Sequence, residues 1–428
     1  MIDFSIGVLF IIFAYFFSKS YKVWFNPGSI FLYMWGGVFI LYSFRLFSIN
    51  SITSSTRMVF FVGILSFVLG YLPLFLSSNK GHNFPSVEDP KNELKIASNK
   101  RQFFLLLTIF SIVLYFIQFL QLLPYWLSGG VPLVKQANAE KFIVGSGIVD
   151  TLVTFIANPI QILTLFSFSI DFFFSRGRYF YIQTFLTLLL AVLKYLVSGS
   201  KFSLIMLILP FLLVYLIYSS VNKSLDKRFS LSRYKSLILI LTFFIVYLLQ
   251  DKEGDWVRSL YFYLVGNVPF GDFAITHIEN QDIYFYGFVT FNGLFRLFTI
   301  LFKFIGVNFD FFNIVNEAYD SMLLFEKAVY ISPTEQYNAF TSIFTYFYKD
   351  GGIYAVIVFS GFLGWLSKQV YRKLNYQLSY FNVLLYLVLC YVLFFSLVRI
   401  QTYNITVVLA LFYAFLLFQG KELDREAI

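Results

Sequence analysis

The stretch FFLLLTIFSIVLYFIQFLQLLPYWL, Phe103 to Leu127, runs for 25 residues without one charged side chain. About 20 predominantly apolar residues suffice for an α-helix to cross the hydrocarbon core of a bilayer. Ten further apolar runs lie to either side, near 4–18, 29–47, 58–77, 151–174, 179–197, 202–219, 236–250, 351–369, 380–398 and 405–419. The expected fold class is therefore all-α: a polytopic transmembrane helical protein of about eleven spans.

Composition agrees with that reading. Of 428 residues, 59% are hydrophobic and only 13% charged, with a mean hydropathy of +0.74, where a soluble domain carries roughly 25% charged residues. The 59 Phe and 31 Tyr supply more apolar surface than one soluble core can enclose, so part of it faces lipid or a lipid-like ligand. The net charge of +9 does not imply nucleic acid, because the basic residues are scattered among short loops. Cys390 is the sole cysteine, which excludes an intrachain disulfide and a thiolate metal cluster.

The positive-inside rule orients the spans. Placing the loops that begin at Lys19, Ser78, Ser175, Ser220 and Lys368 in the cytoplasm, with the tail from Gly420, puts 19 of the 32 Lys and Arg there. The segment 251–350 carries twelve Asp and Glu against six Lys and Arg. An outside N-terminus and a cytoplasmic C-terminus follow. Asp3 before the first apolar run, and Lys19 and Lys22 after it, are the reverse of a cleavable leader's charge order, so the first run reads as a retained span.

The same pass divides one integral membrane domain into spans over 1–250, a long outer loop over 251–350, and further spans with a tail over 351–428. Long structured loops are usually functional. Within this one, 285–305 (FYGFVTFNGLFRLFTILFKFI) is apolar yet carries Arg296 and Lys303 seven residues apart, on one helical face. It is expected to lie along the outer leaflet, since two cations at mid-depth would each cost about 2.5–3.5 kcal/mol; a twelfth span or re-entrant hairpin is the alternative.

Soluble-enzyme motifs are absent, and His82 and His277 are the only histidines, so no His-based metal cluster can be assembled. His82 reads as solvated in a polar inner loop, and His277 lies near Asp272 and Glu279. Seven cations remain at span ends on the expected outer side: Arg45, Arg57, Lys194, Lys201, Arg258, Arg296 and Arg399. Charges at the edge of hydrocarbon, where sorting disfavours them, suggest an anionic ligand. Arginine suits a diphosphate because its planar fork gives two parallel hydrogen bonds, with Arg258 and Arg399 the leading candidates. The bland alternative is that each snorkels or pairs with an acid such as Asp255.

The succession Tyr337-Asn338-Ala339-Phe340-Thr341, Tyr348, Asp350 and Gly352, opening a span with Gly361 and Gly364, resembles the O-antigen polymerases, also called oligosaccharide repeat-unit polymerases. Ser198-Gly199-Ser200-Lys201 looks like that family's Gly-Ser-Arg turn, and Tyr261 to Phe273 (YFYLVGNVPFGDF) like the start of its large outer loop. Two departures stand out: Lys201 replaces Arg, and Arg296 reaches Gly306 through nine intervening residues where ten are described.

The resemblance implies a GT-C-like architecture in the cytoplasmic (inner) membrane and a metal-independent, cofactor-free glycosyltransferase. Its substrate would be an undecaprenyl-diphosphate-linked oligosaccharide drawn from the bilayer, and a chain-length regulator protein is an implied partner. Arg258, Arg399, Lys201 and Arg296 become candidate diphosphate ligands; His277, Asp272 and Glu335 become candidate general bases. Tyr337, Asn338, Thr341, Asp350 and Gly352 carry the motif. An O-antigen ligase, a lipid-linked oligosaccharide flippase and a channel are the competing readings.

Overall fold

The computed structural model describes residues 2–21, 23, 25–72, 94, 96–144, 147–174, 179–200, 208–221, 256–307, 309–337 and 341–419. Among them the chain is helical apart from turns and one two-stranded antiparallel hairpin. Seven described helices are long and apolar enough to cross a membrane, and three shorter apolar helices accompany them. The protein is thus an all-α, multi-pass membrane protein. The run expected at 236–250 lies outside the described residues, as do Lys201, His82, Asp255 and Asn338.

The chain forms two compact units, each drawn from separate stretches of sequence. The first comprises 1–83, 249–375 and 389–405; the second comprises 84–248, 376–388 and 406–428.

The first unit contains α1 (Ile2–Tyr21), α2 (Pro27–Ser43) and α3 (Ser54–Tyr71). Asn26 caps α2 by accepting the Ser29 N–H, with Pro27 pre-set in the first turn. The apolar run continues to residue 47, yet α2 stops at Ser43, because Arg45, Phe47 and Ser48 take left-handed φ of 51°, 55° and 56°. Thr53 then caps α3 through the Thr56 N–H.

An aromatic core holds these helices together: fully buried Trp35 packs against Phe31, Phe39, Phe60 and Phe344, and its Nε1 donates to Ser396 Oγ at 3.1 Å. That bond meets the requirement that a buried indole N–H find an acceptor.

The long outer loop, expected to contain short amphipathic helices, folds into α8 (Trp256–Val265), α9 (Asn267–Gln281), α10 (Asn292–Phe304), α11 (Phe311–Leu323) and the hairpin of β1 (Val329–Ser332) and β2 (Glu335–Tyr337). The helix expected over 285–305 occupies only 292–304, the preceding residues forming a turn with Tyr286 and Gly287 at positive φ. Arg296 and Lys303 lie over the rings of Tyr319 and Phe312 on α11, at 4.1 and 5.9 Å. Their charge is therefore set against aromatic faces of the next helix, while Phe304 and Ile305 are strongly exposed.

The span expected at 351–369 belongs to a longer element, α12 (Ile343–Tyr376), interrupted at Gly351 and Gly352. Gly352 has φ 61° and ψ −149°, a conformation open to glycine and costly for other residues. Past this break, Gly361 and Gly364 approach α3 so closely that a Cβ at Gly70 would overlap the Gly361 carbonyl and one at Gly364 the Phe67 carbonyl. Small residues allow such backbone approach between membrane helices.

The second unit is built from α4 (Ser98–Val144), α5 (Ile148–Phe174), α6 (Phe180–Ser198) and α7 (Ile208–Val221), with residues 380–388 of α13 (Tyr380–Phe394) and residues 406–418 of α14 (Ile405–Phe418). α4 outruns the expected 103–127 and breaks at Gly130, φ 65°, between Pro124 and Pro132. α5 includes a π turn over Val153–Ala157. Pro159 has no N–H to offer the Phe155 carbonyl, which accepts the Tyr413 hydroxyl instead at 3.1 Å.

A polar seam follows α5. Lys194 Nζ donates to Asn158 Oδ1 at 2.6 Å, and the Tyr115 hydroxyl reaches Asn158 and Gln161. The hydroxyls of Thr108 and Thr164 meet at 3.3 Å. Further along, Gln183 donates to Ser167, whose hydroxyl meets that of Tyr380, and Arg101 joins Asp171 at 2.7 Å. In an apolar bundle each of these groups needs a partner, and the seam supplies them.

Candidate functional site

One end of the first unit gathers most of the polar groups singled out from sequence. Asp3 at the start of α1 binds Arg45 Nη2 at 3.2 Å and Arg57 Nε at 2.8 Å. Arg45 also donates to the Tyr42 hydroxyl and to the Asn50 carbonyl, the latter at 2.7 Å. Two of the seven span-end cations therefore serve to tie α1, the end of α2 and the start of α3 together.

The 329–337 hairpin docks on the connection between α2 and α3: Asn50 N–H donates to the Ile331 carbonyl at 2.8 Å, and Asn50 Nδ2 to that of Tyr330 at 3.3 Å. At the tip of the hairpin, Arg258 Nη2 donates to Thr334 Oγ1 at 2.6 Å and pairs with Glu335 Oε2 at 3.3 Å. About a third of each charged side chain is exposed, a setting in which an ion pair contributes only ~0–1 kcal/mol to stability. Arg258 is placed by α8, where its guanidinium also lies 5.7 Å from the Phe262 ring centroid.

The fold pairs one expected diphosphate ligand, Arg258, with one expected base, Glu335. Glu335 Oε2 is thereby engaged by the Arg258 guanidinium.

The remaining sequence candidates fall apart in space or role. Asp272 Oδ1 accepts both the N–H and the hydroxyl of Thr53, at 2.8 and 2.6 Å, and so supports the N-terminus of α3. His277 stacks on Phe273 and meets Phe325 edge-on; its Nε2 is buried with no hydrogen-bond partner among the described residues. Arg399 follows the 3₁₀ turn at Phe395–Leu397, its N–H bound to the Phe395 carbonyl. Lys194 belongs to the second unit's seam.

The motif residues are structural anchors. Tyr337 is buried against Phe270 and beside Gly266, where a Cβ would collide with its ring. Burial pushes its phenol well above the ordinary range, so it stays neutral at physiological pH. Thr341 is buried, and its carbonyl accepts the Thr345 hydroxyl at 2.5 Å.

Asp350, just before the break in α12, is buried and accepts the N–H groups of Val289 and Thr290 at 2.9 and 2.7 Å. The carbonyls of Lys349 and Asp350, which lose their helical partners at the Gly351–Gly352 break, accept the N–H groups of Phe285 and Tyr286 at 3.2 and 2.8 Å. The 285–291 turn thereby completes hydrogen bonds that the helix leaves open.

Next to this junction lies a cluster that sequence reasoning did not assemble. Glu279, near the C-terminus of α9, accepts the Ser55 hydroxyl at 2.6 Å and the Tyr348 hydroxyl at 3.0 Å, both on Oε1. Buried Lys349 donates to Gln281 Oε1 at 3.2 Å and lies 5.4 Å from the Phe285 ring centroid. Burial, then the carboxylates of Asp282 and Glu279, push the Tyr284 phenol upward. In the sequence, Glu279 stands out only beside His277, and Tyr348 and Asp350 only within the motif ahead of Gly352.

No family model, curated protein or solved structure matches the chain.

Proposed function

We propose that this protein is a membrane glycosyltransferase of the oligosaccharide repeat-unit polymerase type. It transfers a growing glycan from polyprenyl diphosphate to the terminal sugar of a second lipid-linked repeat unit, on the non-cytoplasmic face of the cytoplasmic membrane. The supporting observation is Arg258: a partly exposed guanidinium, held by a folded hairpin at one end of an apolar multi-pass bundle. A substrate with an isoprenoid tail needs apolar walls beside a polar head site, and the 256–337 elements supply aromatic and charged groups for one.

In this scheme the acceptor hydroxyl displaces the diphosphate at the anomeric carbon. Arg258 stabilises the charge that develops on the leaving group, an interaction that strengthens toward the transition state and so accelerates the reaction. Thr334 and Glu335 fix the guanidinium in one orientation. A diphosphate arriving at Nη2 competes with Glu335, so substrate binding and loosening of this pair are linked.

Deleting the gene in the source organism and resolving surface polysaccharide on a gel tests the proposal. A polymerase defect leaves acceptors capped by a single repeat unit. Uncapped acceptors point to a ligase or flippase instead, and an unchanged ladder refutes all three.

A further inference from the structure

We infer that Glu279 is the general base that deprotonates the acceptor sugar hydroxyl, at a site formed by the end of α9 and the residues preceding the break in α12. The inference rests on the polymerase reading and adds to it the residue that handles the acceptor proton.

Geometry separates Glu279 from the carboxylates and the histidine suggested by sequence. Glu335 Oε2 is paired with Arg258. Asp272 braces the Thr53 cap, and it faces Tyr42 together with Arg45 and Asp3. The Nε2 of His277 is buried between Phe273 and Phe325. Glu279 is exposed, and no Lys, Arg or His among the described residues lies within ion-pair distance of it. Ser55 and Tyr348 both bind Oε1, which fixes the carboxylate plane and leaves Oε2 with no protein donor among the described residues.

The surroundings fit a neutral polyol better than a second phosphate. Asp282 and Glu279 supply carboxylates and Lys349 a buried cation held by Gln281, while Tyr284 and Tyr348 offer ring faces and hydroxyls. Asp282, Tyr286 and Gly287 all take positive φ within eight residues of Glu279. Such backbone is costly for Asp282 and Tyr286, and strain of this kind concentrates at functional sites.

In the step itself the acceptor O–H gives its proton to Glu279 Oε2 as its oxygen bonds to the anomeric carbon. The bond from that carbon to the diphosphate oxygen breaks, and its electron pair leaves with the diphosphate. The protonated Glu279 then releases its proton to solvent.

The test compares three chromosomal variants with wild type and with the gene deletion. Polymerised surface glycan is read per unit of membrane-inserted protein. Glu279→Gln keeps an oxygen for Ser55 and Tyr348 but removes the base, and polymerisation is expected to fall by about 10²- to 10⁴-fold. Glu279→Asp, which keeps the charge with shorter reach, should retain part of the rate. Ser55→Ala removes the shorter of the two hydrogen bonds that orient the carboxylate but keeps the base, and should lose clearly less than Glu279→Gln.

Polymer at wild-type level in Glu279→Gln, with none in the deletion, would overturn the role of Glu279 and leave the polymerase reading standing. Equal losses in Glu279→Gln and Ser55→Ala would make Glu279 a structural tether and would overturn it too. An unchanged ladder in the deletion strain itself removes the polymerase reading.

Discussion

Replacing Asp350 by Ala should loosen the first unit without touching its apolar core. The Asp350 carboxylate is buried and is the hydrogen-bond acceptor for the N–H groups of Val289 and Thr290. Each buried donor left without a partner costs about 1–3 kcal/mol, so the two together cost about 2–6 kcal/mol. Asp350→Asn keeps one acceptor oxygen but turns an amide NH2 toward the other N–H, and should fall between wild type and Ala. Thermal inactivation of the detergent-purified protein, followed by size-exclusion chromatography after heating, gives the comparison as half-lives at one temperature. The expected order is wild type, then Asn, then Ala. An Ala variant as long-lived as wild type would refute the claim that this carboxylate pins the turn to the broken helix.

Arg258→Ala should abolish polymer while the protein remains in the membrane; with Arg258→Lys, partial polymer would indicate a point charge and complete loss a forked contact. Gly364→Leu drives a side chain into the Phe67 carbonyl and should deplete the membrane-inserted protein on immunoblots, whereas Gly37→Ala, with nothing within 4 Å of its Cβ, should not. Asp171→Ala takes the carboxylate from Arg101 in the second unit's seam and leaves it with Gln183; breaking a buried pair costs about 3–5 kcal/mol, which a shortened inactivation half-life would register. With Cys390 buried, a cysteine at Ile305 should be the site reached by a membrane-impermeant maleimide applied to spheroplasts, and labelling only after lysis would reverse the expected orientation.

The helices that cross the membrane were legible because their signal is local: twenty apolar residues in a row carry the same meaning wherever they occur. Their ends were less so. α2 ends before its apolar run does, because Arg45, Phe47 and Ser48 turn left-handed to bring Arg45 to Asp3, a partner 42 residues away. The apolar run at 351–369 starts just after Lys349 and Asp350, yet the element extends back to Ile343, with those two buried charges held by Gln281 and by the N–H groups of Val289 and Thr290.

At the candidate site, residue type was informative and pairing was not. Arg258 and Glu335 were each singled out for separate roles, but nothing within either neighbourhood reveals that a hairpin joins them across 77 positions. Glu279 was visible only as a neighbour of His277, and its tie to Ser55 spans 224 positions. Charges meant to share one ligand proved to have individual partners: Asp3 for Arg45 and Arg57, Asn158 for Lys194, and the Tyr319 ring for Arg296.

The docking of 285–291 on the interrupted helix has a consequence for where this chain tolerates added sequence. Those seven residues act as a splint whose backbone is matched, donor to acceptor, with Lys349 and Asp350, so lengthening it by one residue would shift every bond out of register. Gly306 lies in a turn between α10 and α11 with open space around it. An epitope or fluorescent reporter intended to follow the protein in living cells therefore belongs at Gly306, only fifteen residues downstream of a segment that would not survive the same graft.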